Sequence, residues 1–305
     1  MKLIFWALIF SFISIADLHA AAISDGTALT VDVSWVAVDK NTELYTEYYP
    51  PKKNRPTLVL IHGLTYTTRQ WKPFIKELVK RGYGVVCYDM RGMGQTLLRY
   101  APVRAIIPIT NQAQDLHKLL ANLKIPKPYN LIGLSYGGGV AFNFAVKYPK
   151  LTGNLILMAP YTKPLAQVDA YIKNQVAAAR LANPFNPYTD DELYEFFFRQ
   201  FVYTTYPMQE PIVLENPYKL EAVFRLSQGV GAFIPWNNTD KLKSRTHLLI
   251  AANDQYFKPV EFESFWEKFP EDAKAGLYYV KNSEHKIPEA QPEQAATIID
   301  DIFKE

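Results

Sequence analysis

A serine at position 135 has glycine two residues to either side, in Gly133-Leu134-Ser135-Tyr136-Gly137, with Gly138 and Gly139 behind it. The apolar run Tyr129-Asn130-Leu131-Ile132 leads in, and the alanine-rich run Val140-Ala141-Phe142-Asn143-Phe144-Ala145-Val146 leads out. That order describes a strand, a sharp turn and a helix, with the hydroxyl at the apex and at the positive end of the helix. Glycines flank it because a Cβ would clash in so tight a turn. The chemistry such a serine can do is nucleophilic attack on an acyl carbon. It is a poor nucleophile at its own pKa, so it needs a base, a group to orient that base, and donors for an oxyanion. A glycine-rich β-to-α turn with an incidental serine has the same short motif, so the partners must come from elsewhere in the chain.

The surrounding elements decide where partners can lie. Residues 29–49 favour β structure, and Val31, Val33, Trp35 and Ala37 followed by Leu44, Tyr45 and Tyr48 predict a hairpin turning near Lys40-Asn41. Thr57-Leu58-Val59-Leu60-Ile61 is a continuous apolar run, as in a strand buried on both faces. Residues 71–81 predict an amphipathic helix, 83–88 a strand, 111–123 a helix and 154–158 a strand beyond the serine turn. From about 161 to 242 the alternation gives way to helical stretches and loops rich in aromatics and prolines. It resumes with a strand at 246–252, a helix near 260–269, a strand at 276–280 and a last helix near 292–303. This alternation implies an α/β fold: a mostly parallel, doubly wound sheet with an inserted helical cap. The expected organisation is a core in two parts, residues 23–160 and 243–305, with the cap at 161–242.

Open parallel sheets bind ligands beyond the carboxyl ends of their strands. After residues 57–61 comes His62-Gly63-Leu64-Thr65, and after the strand holding Cys87 comes Asp89-Met90-Arg91-Gly92-Met93-Gly94. Ser135 follows Ile132, Asn253-Asp254 follow Ile250, and Ser283-Glu284-His285 follow Val280. The order Ser135, Asp254, His285 resembles the nucleophile, acid, base order of the α/β-hydrolases. With these residues the chain resembles the α/β-hydrolase superfamily, in its form with a helical cap, over nearly all of residues 23–305. The resemblance rests on the serine turn, the His62-Gly63 turn, the Asp-x-Arg-Gly-x-Gly segment at 89–94, Asp254 with Pro259 five residues on, and the late histidine. Gln95-Thr96 replace a serine common in relatives, and Glu284 replaces a glycine before the histidine; neither touches the triad.

The resemblance implies Ser135 as nucleophile, His285 as base and Asp254 as the acid that holds the imidazole tautomer. It also implies the backbone N–H groups of Tyr136 and Leu64 as oxyanion donors. Glu261 and Glu263 compete with Asp254, but only Asp254 directly follows a strand. His62 is expected to support the oxyanion loop, His117 and His247 to be structural or exposed, and Asp89 and Arg91 to brace their own loop. In the cap, Leu193, Phe197 and Phe201 share one helical face. Phe197 and Phe201, with Phe233 and Trp236 in the loop before the next strand, either pack the cap onto the core or line an apolar pocket. Thr65 is a further candidate substrate contact beside the oxyanion donors.

The substrate expected is a small molecule: a small or medium apolar carboxylic ester, cleaved through an acyl-enzyme. Aminopeptidase, lactonase, thioesterase and acyltransferase chemistries stay open within the same fold, and so does a non-catalytic binding protein. Aspartate at the turn, usual in dehalogenases and epoxide hydrolases, is absent here. The 305 residues carry a net charge of only +3, which gives no support to nucleic-acid binding. No metal-ligand cluster, dinucleotide fingerprint or phosphate loop stands out, so no cofactor and no metal are expected. Oligomeric state is not legible. Lys2, an apolar run over 3–15, and Ala20-Ala21-Ala22 describe a signal peptide at 1–22, hence an exported, periplasmic or secreted protein without integral membrane association after cleavage. Cys87 is the only cysteine, so no internal disulfide forms, and its strand-like setting suits a core residue.

Overall fold

The computed structural model describes residues 29–52, 54–205 and 218–304. The expected signal peptide lies outside the described residues. An eight-stranded sheet runs through the molecule in the order β1-β2-β4-β3-β5-β6-β7-β8. A hairpin of β1 (Asp32–Asp39) and β2 (Thr42–Tyr49) forms one edge. β2 pairs antiparallel with β4 (Gly84–Tyr88); from β4 onward every pairing is parallel, through β3 (Thr57–Ile61), β5 (Tyr129–Leu134), β6 (Thr152–Met158), β7 (Arg245–Ala251) and β8 (Lys274–Val280). The expected mostly parallel sheet is therefore the observed one.

Helices sandwich the sheet, which is why its central strands are continuous apolar runs. All five residues of β4 are buried, as are Leu58, Val59, Leu60 and Ile61 of β3. α1 (Lys72–Lys80) buries Phe74, Ile75 and Leu78, and α3 (Ile109–Asn122) buries Leu116, Leu119 and Leu120. α4 (Tyr136–Lys147) is buried over almost its whole length between α3 and the strands β5 and β6. α2 (Gly94–Tyr100) is a helix that the sequence pattern does not show. It spans barely two turns, and Met93 before it offers no side-chain cap, so neither periodicity nor a start signal marks it.

Between β6 and β7 lie α5 (Ala166–Ala182), α6 (Asp190–Thr205) and α7 (Lys219–Gln228). α5 packs on α6 and α6 on α7. A small cluster of Val202, Val223 and Phe224 forms here, and Leu64 reaches it from the core side. After β7 come α8 (Pro259–Glu267) and, at the end, α9 (Pro292–Ile302), which packs against α1. No helix of the described residues is long and apolar enough to cross a membrane.

The chain winds one way from β3 to β4 and the other way from β5 onward. The reversal falls between β3 and β5, where an open sheet leaves a crevice beyond its carboxyl ends. His62-Gly63 leave β3 there, and Ser135 leaves β5 there.

Candidate active site

Ser135 stands at the turn from β5 to α4 with φ 53° and ψ −120°, a backbone conformation that disfavours any residue with a Cβ. The surrounding hydrogen bonds over-determine it. Its N–H donates to Met158 O at 3.0 Å, and its carbonyl accepts from Gly138 at 2.8 Å, Gly139 at 3.2 Å and Tyr161 at 2.7 Å. Close approach dictates the neighbouring glycines. A Cβ on Gly137 would stand 2.1 Å from Ile61 O, and one on Gly133 would stand 2.4 Å from Gly137 O. The hydroxyl-bearing residue itself is only partly buried.

Asp254 and His285 leave β7 and β8 at the same edge of the sheet. His285 Nδ1–H donates to Asp254 Oδ2 at 2.7 Å. The Asp254 side chain is fully buried and that of His285 is 5% exposed, so the pair is shielded from water and salt. The other carboxylate oxygen, Oδ1, accepts from the N–H groups of Tyr256 at 2.8 Å and Phe257 at 3.1 Å. Those two donors fix the carboxylate, and the carboxylate fixes the ring. With the proton on Nδ1, Nε2 of the neutral imidazole keeps its lone pair for a proton-transfer partner. The strand-end loops are stitched together: Ser135 to β6 as above, Ala159 N–H to Leu249 O at 3.0 Å, and Asn253 N–H to Ser283 O at 2.8 Å. Ser135, Asp254 and His285 therefore hang from one hydrogen-bonded framework.

The loop after β3 lies against the Ser135 turn, since a Cβ on Gly63 would stand 3.5 Å from Ser135 Cβ. His62 holds this loop. Its Nδ1–H donates to Gly63 O at 2.9 Å, and its Nε2 accepts from Met90 N–H at 3.1 Å. A carbonyl can only accept and an amide N–H can only donate, so the tautomer is determined. Complete burial lowers the His62 pKa to about 4, so the ring is neutral at ordinary pH. Gln70 Oε1 adds a bond from Gly63 N–H at 3.3 Å. Tyr136 and Gly137 occupy the first turn of α4, where N–H groups have no intrahelical acceptor. Neither Tyr136 N–H nor Leu64 N–H takes a partner among the described residues. Two uncommitted donors near one serine are groups that an oxyanion could use.

The other sequence-derived candidates are dispersed. Thr65 is buried with φ 73°. Phe201 packs on the Val202–Val223–Phe224 cluster beside Leu64, and its ring lies 6.0 Å from that of Tyr171. Phe197 is half-buried against Phe196. Phe233 packs on Phe142 of α4, and Trp236 stacks on Phe265 of α8 at 6.0 Å, contacts that involve none of Ser135, Asp254 and His285. The Tyr136 side chain turns into the core, leaving its backbone as the part beside the site. Asp89 and Arg91 do not pair. Asp89 accepts the N–H groups of Thr68 and Gln95, each at 2.7 Å, while burial pushes its carboxyl up to about 6. Arg91 instead forks onto Asp115 at 2.8 Å and reaches Asp39 at 2.6 Å.

Four further residues around the site belong to no motif in the sequence. Gln255 Oε1 accepts His285 N–H at 3.1 Å, and the rings of Tyr256 and Phe257 lie 5.0 and 5.8 Å from the imidazole. They directly follow Asp254, and that adjacency is the one signal that points to them. Gln70 has none, because its reach back to Gly63 exists only once the loop has closed.

The fold and this constellation place the chain in a class. It belongs to the α/β-hydrolase fold family, whose model matches residues 56–287. Among characterised relatives it is similar to human monoacylglycerol lipase ABHD6, with 23% identity over 263 residues covering 82% of this chain and 76% of the lipase. Its fold is that of a thermophilic esterase from Thermogutta terrifontis, with TM-score 0.63 and 20% identity over 90% of this chain and 98% of that one. It is also that of the enol-lactonase from Burkholderia xenovorans LB400, with TM-score 0.64 and 18% identity over 88% and 99% of the two chains.

Proposed function

We propose that this α/β-hydrolase is a serine hydrolase that cleaves a carboxylic ester of a small or medium apolar acyl group through an acyl-enzyme on Ser135. The observation that carries this is the buried 2.7 Å Asp254–His285 hydrogen bond on the strand-end framework that also holds Ser135. His285 Nε2 takes the Ser135 hydroxyl proton as Oγ bonds to the ester carbonyl carbon, and the carbonyl oxygen becomes an oxyanion held by Tyr136 and Leu64 N–H. The tetrahedral species collapses as His285 returns the proton to the departing alcohol. Water, giving a proton to the same ring, then attacks the acyl carbon; the acyl–Oγ bond breaks, His285 returns the proton to Ser135 Oγ, and the acid leaves. Losing one oxyanion donor costs on the order of 3 kcal/mol of barrier. Similarity to a monoacylglycerol lipase supports an apolar acyl chain, and the insertion acts as a cap over the acyl site. We also propose that residues 1–22 direct export.

A fluorophosphonate probe should label Ser135 in the folded protein and fail on Ser135→Ala. A series of chromogenic esters of increasing acyl length, run beside aminoacyl amides, should show turnover of esters over amides. Absence of labelling, with Ser135→Ala matching wild type on every ester, leaves a hydrolase-like binding protein instead.

A further inference from the structure

Two more residues, Tyr66 and Lys286, lie in no motif of the sequence, yet their side chains meet beside the site. Tyr66 closes the turn after β3: its N–H donates to Gly63 O at 3.3 Å, with Leu64 and Thr65 between them. Thr65 sits at φ 73°, a conformation that a β-branched residue does not favour, so its surroundings must hold the turn. The Tyr66 ring is part of that hold. A Cβ on Gly63 would stand 2.8 Å from Tyr66 Cδ2 and 3.3 Å from Cε2, so the ring lies directly on Gly63. On the other loop, Lys286 directly follows His285. Its carbonyl accepts the N–H groups of Glu289 and Ala290, each at 2.9 Å, in the short helix Ile287–Ala290, which packs against the turn Thr68–Trp71. With its backbone pinned in this way, Lys286 reaches over with its side chain, placing Nζ 4.9 Å from the centroid of the Tyr66 ring. Both residues are half-buried, so the ammonium meets the negative face of the ring with part of the surrounding water displaced.

Resting on the function proposed above, we infer that Tyr66 and Lys286 are positioning residues for ester cleavage: their contact clasps the loop of Leu64 to the loop of His285 and fixes the oxyanion donor relative to the base. The peptide between Gly63 and Leu64 shows how. In a trans peptide the C=O and the N–H point in opposite directions, so whatever holds Gly63 O also aims Leu64 N–H. Gly63 O is held by two donors, His62 Nδ1–H at 2.9 Å and Tyr66 N–H at 3.3 Å. The His62 donor is locked inside the core. The Tyr66 donor is not, and it keeps its place through the ring that lies on Gly63 and the ammonium that lies on the ring. Full charge on an ester carbonyl oxygen develops only toward the transition state. A Leu64 N–H that loses its aim therefore raises the barrier while leaving ground-state binding almost untouched.

The test is initial-rate kinetics of the full chain on a chromogenic ester, with hydrogen exchange beside it. Tyr66→Leu and Lys286→Met should each lower kcat about tenfold with little change in KM. Tyr66→Phe and Lys286→Arg, which keep a ring and a cation, should recover most of that loss. Tyr66→Leu combined with Lys286→Met should be no slower than the slower single variant, because the two side chains act as one unit. The Gly63 and Tyr66 amides should exchange faster in Lys286→Met than in wild type, at an unchanged unfolding temperature. Losses that multiply in the double variant, a fall in kcat/KM carried by KM, or unchanged exchange would each overturn the clasp. Wild type that neither takes a fluorophosphonate label nor turns over ester refutes the Ser135 reading instead, and the exchange result then decides alone whether the loops are clasped.

Discussion

Replacing Ser135 with glycine should make the protein inactive and more stable. At φ 53° and ψ −120° a residue with a Cβ is held in a region that costs about 1–3 kcal/mol, whereas glycine adopts it freely. Glycine also loosens the unfolded chain, returning about 0.4–1 kcal/mol of that gain. The net expected stabilisation is about 1 kcal/mol, or roughly 2–4 °C in midpoint for a chain of this size. The proper comparison is Ser135→Ala, which removes the same hydroxyl but keeps the Cβ and therefore the strain. Equilibrium urea unfolding of both variants, with equal slopes, isolates the backbone term. If Ser135→Gly is no more stable than Ser135→Ala, the turn is not strained and the hydrogen bonds from Gly138, Gly139 and Tyr161 have no strain to oppose.

Asp254→Asn should lower kcat/KM on an ester by about 10³–10⁴-fold with little loss of fold. The N–H groups of Tyr256 and Phe257 hold the amide oxygen on their side, so the amide NH₂ faces His285 and forces its proton onto Nε2; a pH profile unchanged from wild type would contradict this. Gly63→Ala places a methyl 2.8 Å from Tyr66 Cδ2, displacing the oxyanion loop; kcat should fall roughly a hundredfold, more than KM changes, in initial-rate assays. Although buried Asp89, held up near 6, acts the other way, the histidine contribution to stability should decline as pH drops from about 6.5 toward 4, because unfolded His62 binds a proton that the buried folded ring binds only near pH 4. That gap amounts to about 3 kcal/mol. Buried His247, also lowered to about 4, acts in the same window, so His62→Asn should remove about half of the histidine contribution to the slope measured by chemical unfolding.

The strands and the residues just beyond them are legible in the sequence. β3 and β4 are apolar runs long enough to be recognised without a partner, and each candidate group sits within a few residues of a strand end, so one edge of one sheet can be inferred. Side-chain direction is not legible. A linear reading leaves Phe233 and Trp236 open between packing and pocket lining, because the irregular loop has no period that assigns its faces; their ring neighbours Phe142 and Phe265 are visible only in the fold. Asp89 and Arg91 are expected to brace their loop, and the sequence does not say through which partners: Asp89 does so through the N–H groups of Thr68 and Gln95, while Arg91 is long enough to span to Asp115 of α3.

The stalks of the insertion are joined to each other and to the serine turn. Tyr161 N–H bonds to Ser135 O, and Trp236 N–H bonds to Thr162 O at 2.9 Å, so the outgoing and returning chains meet where they leave the core. A segment whose ends are already tied can change length at small entropic cost, since each doubling of a loop adds only about 0.6 kcal/mol. On the function proposed above, helices grafted from a relative onto these two stalks should change ester preference, provided the graft also gives Leu64 an apolar neighbour and Ile107 and Ile109 N–H the acceptors that Arg225 O and Gly229 O now supply.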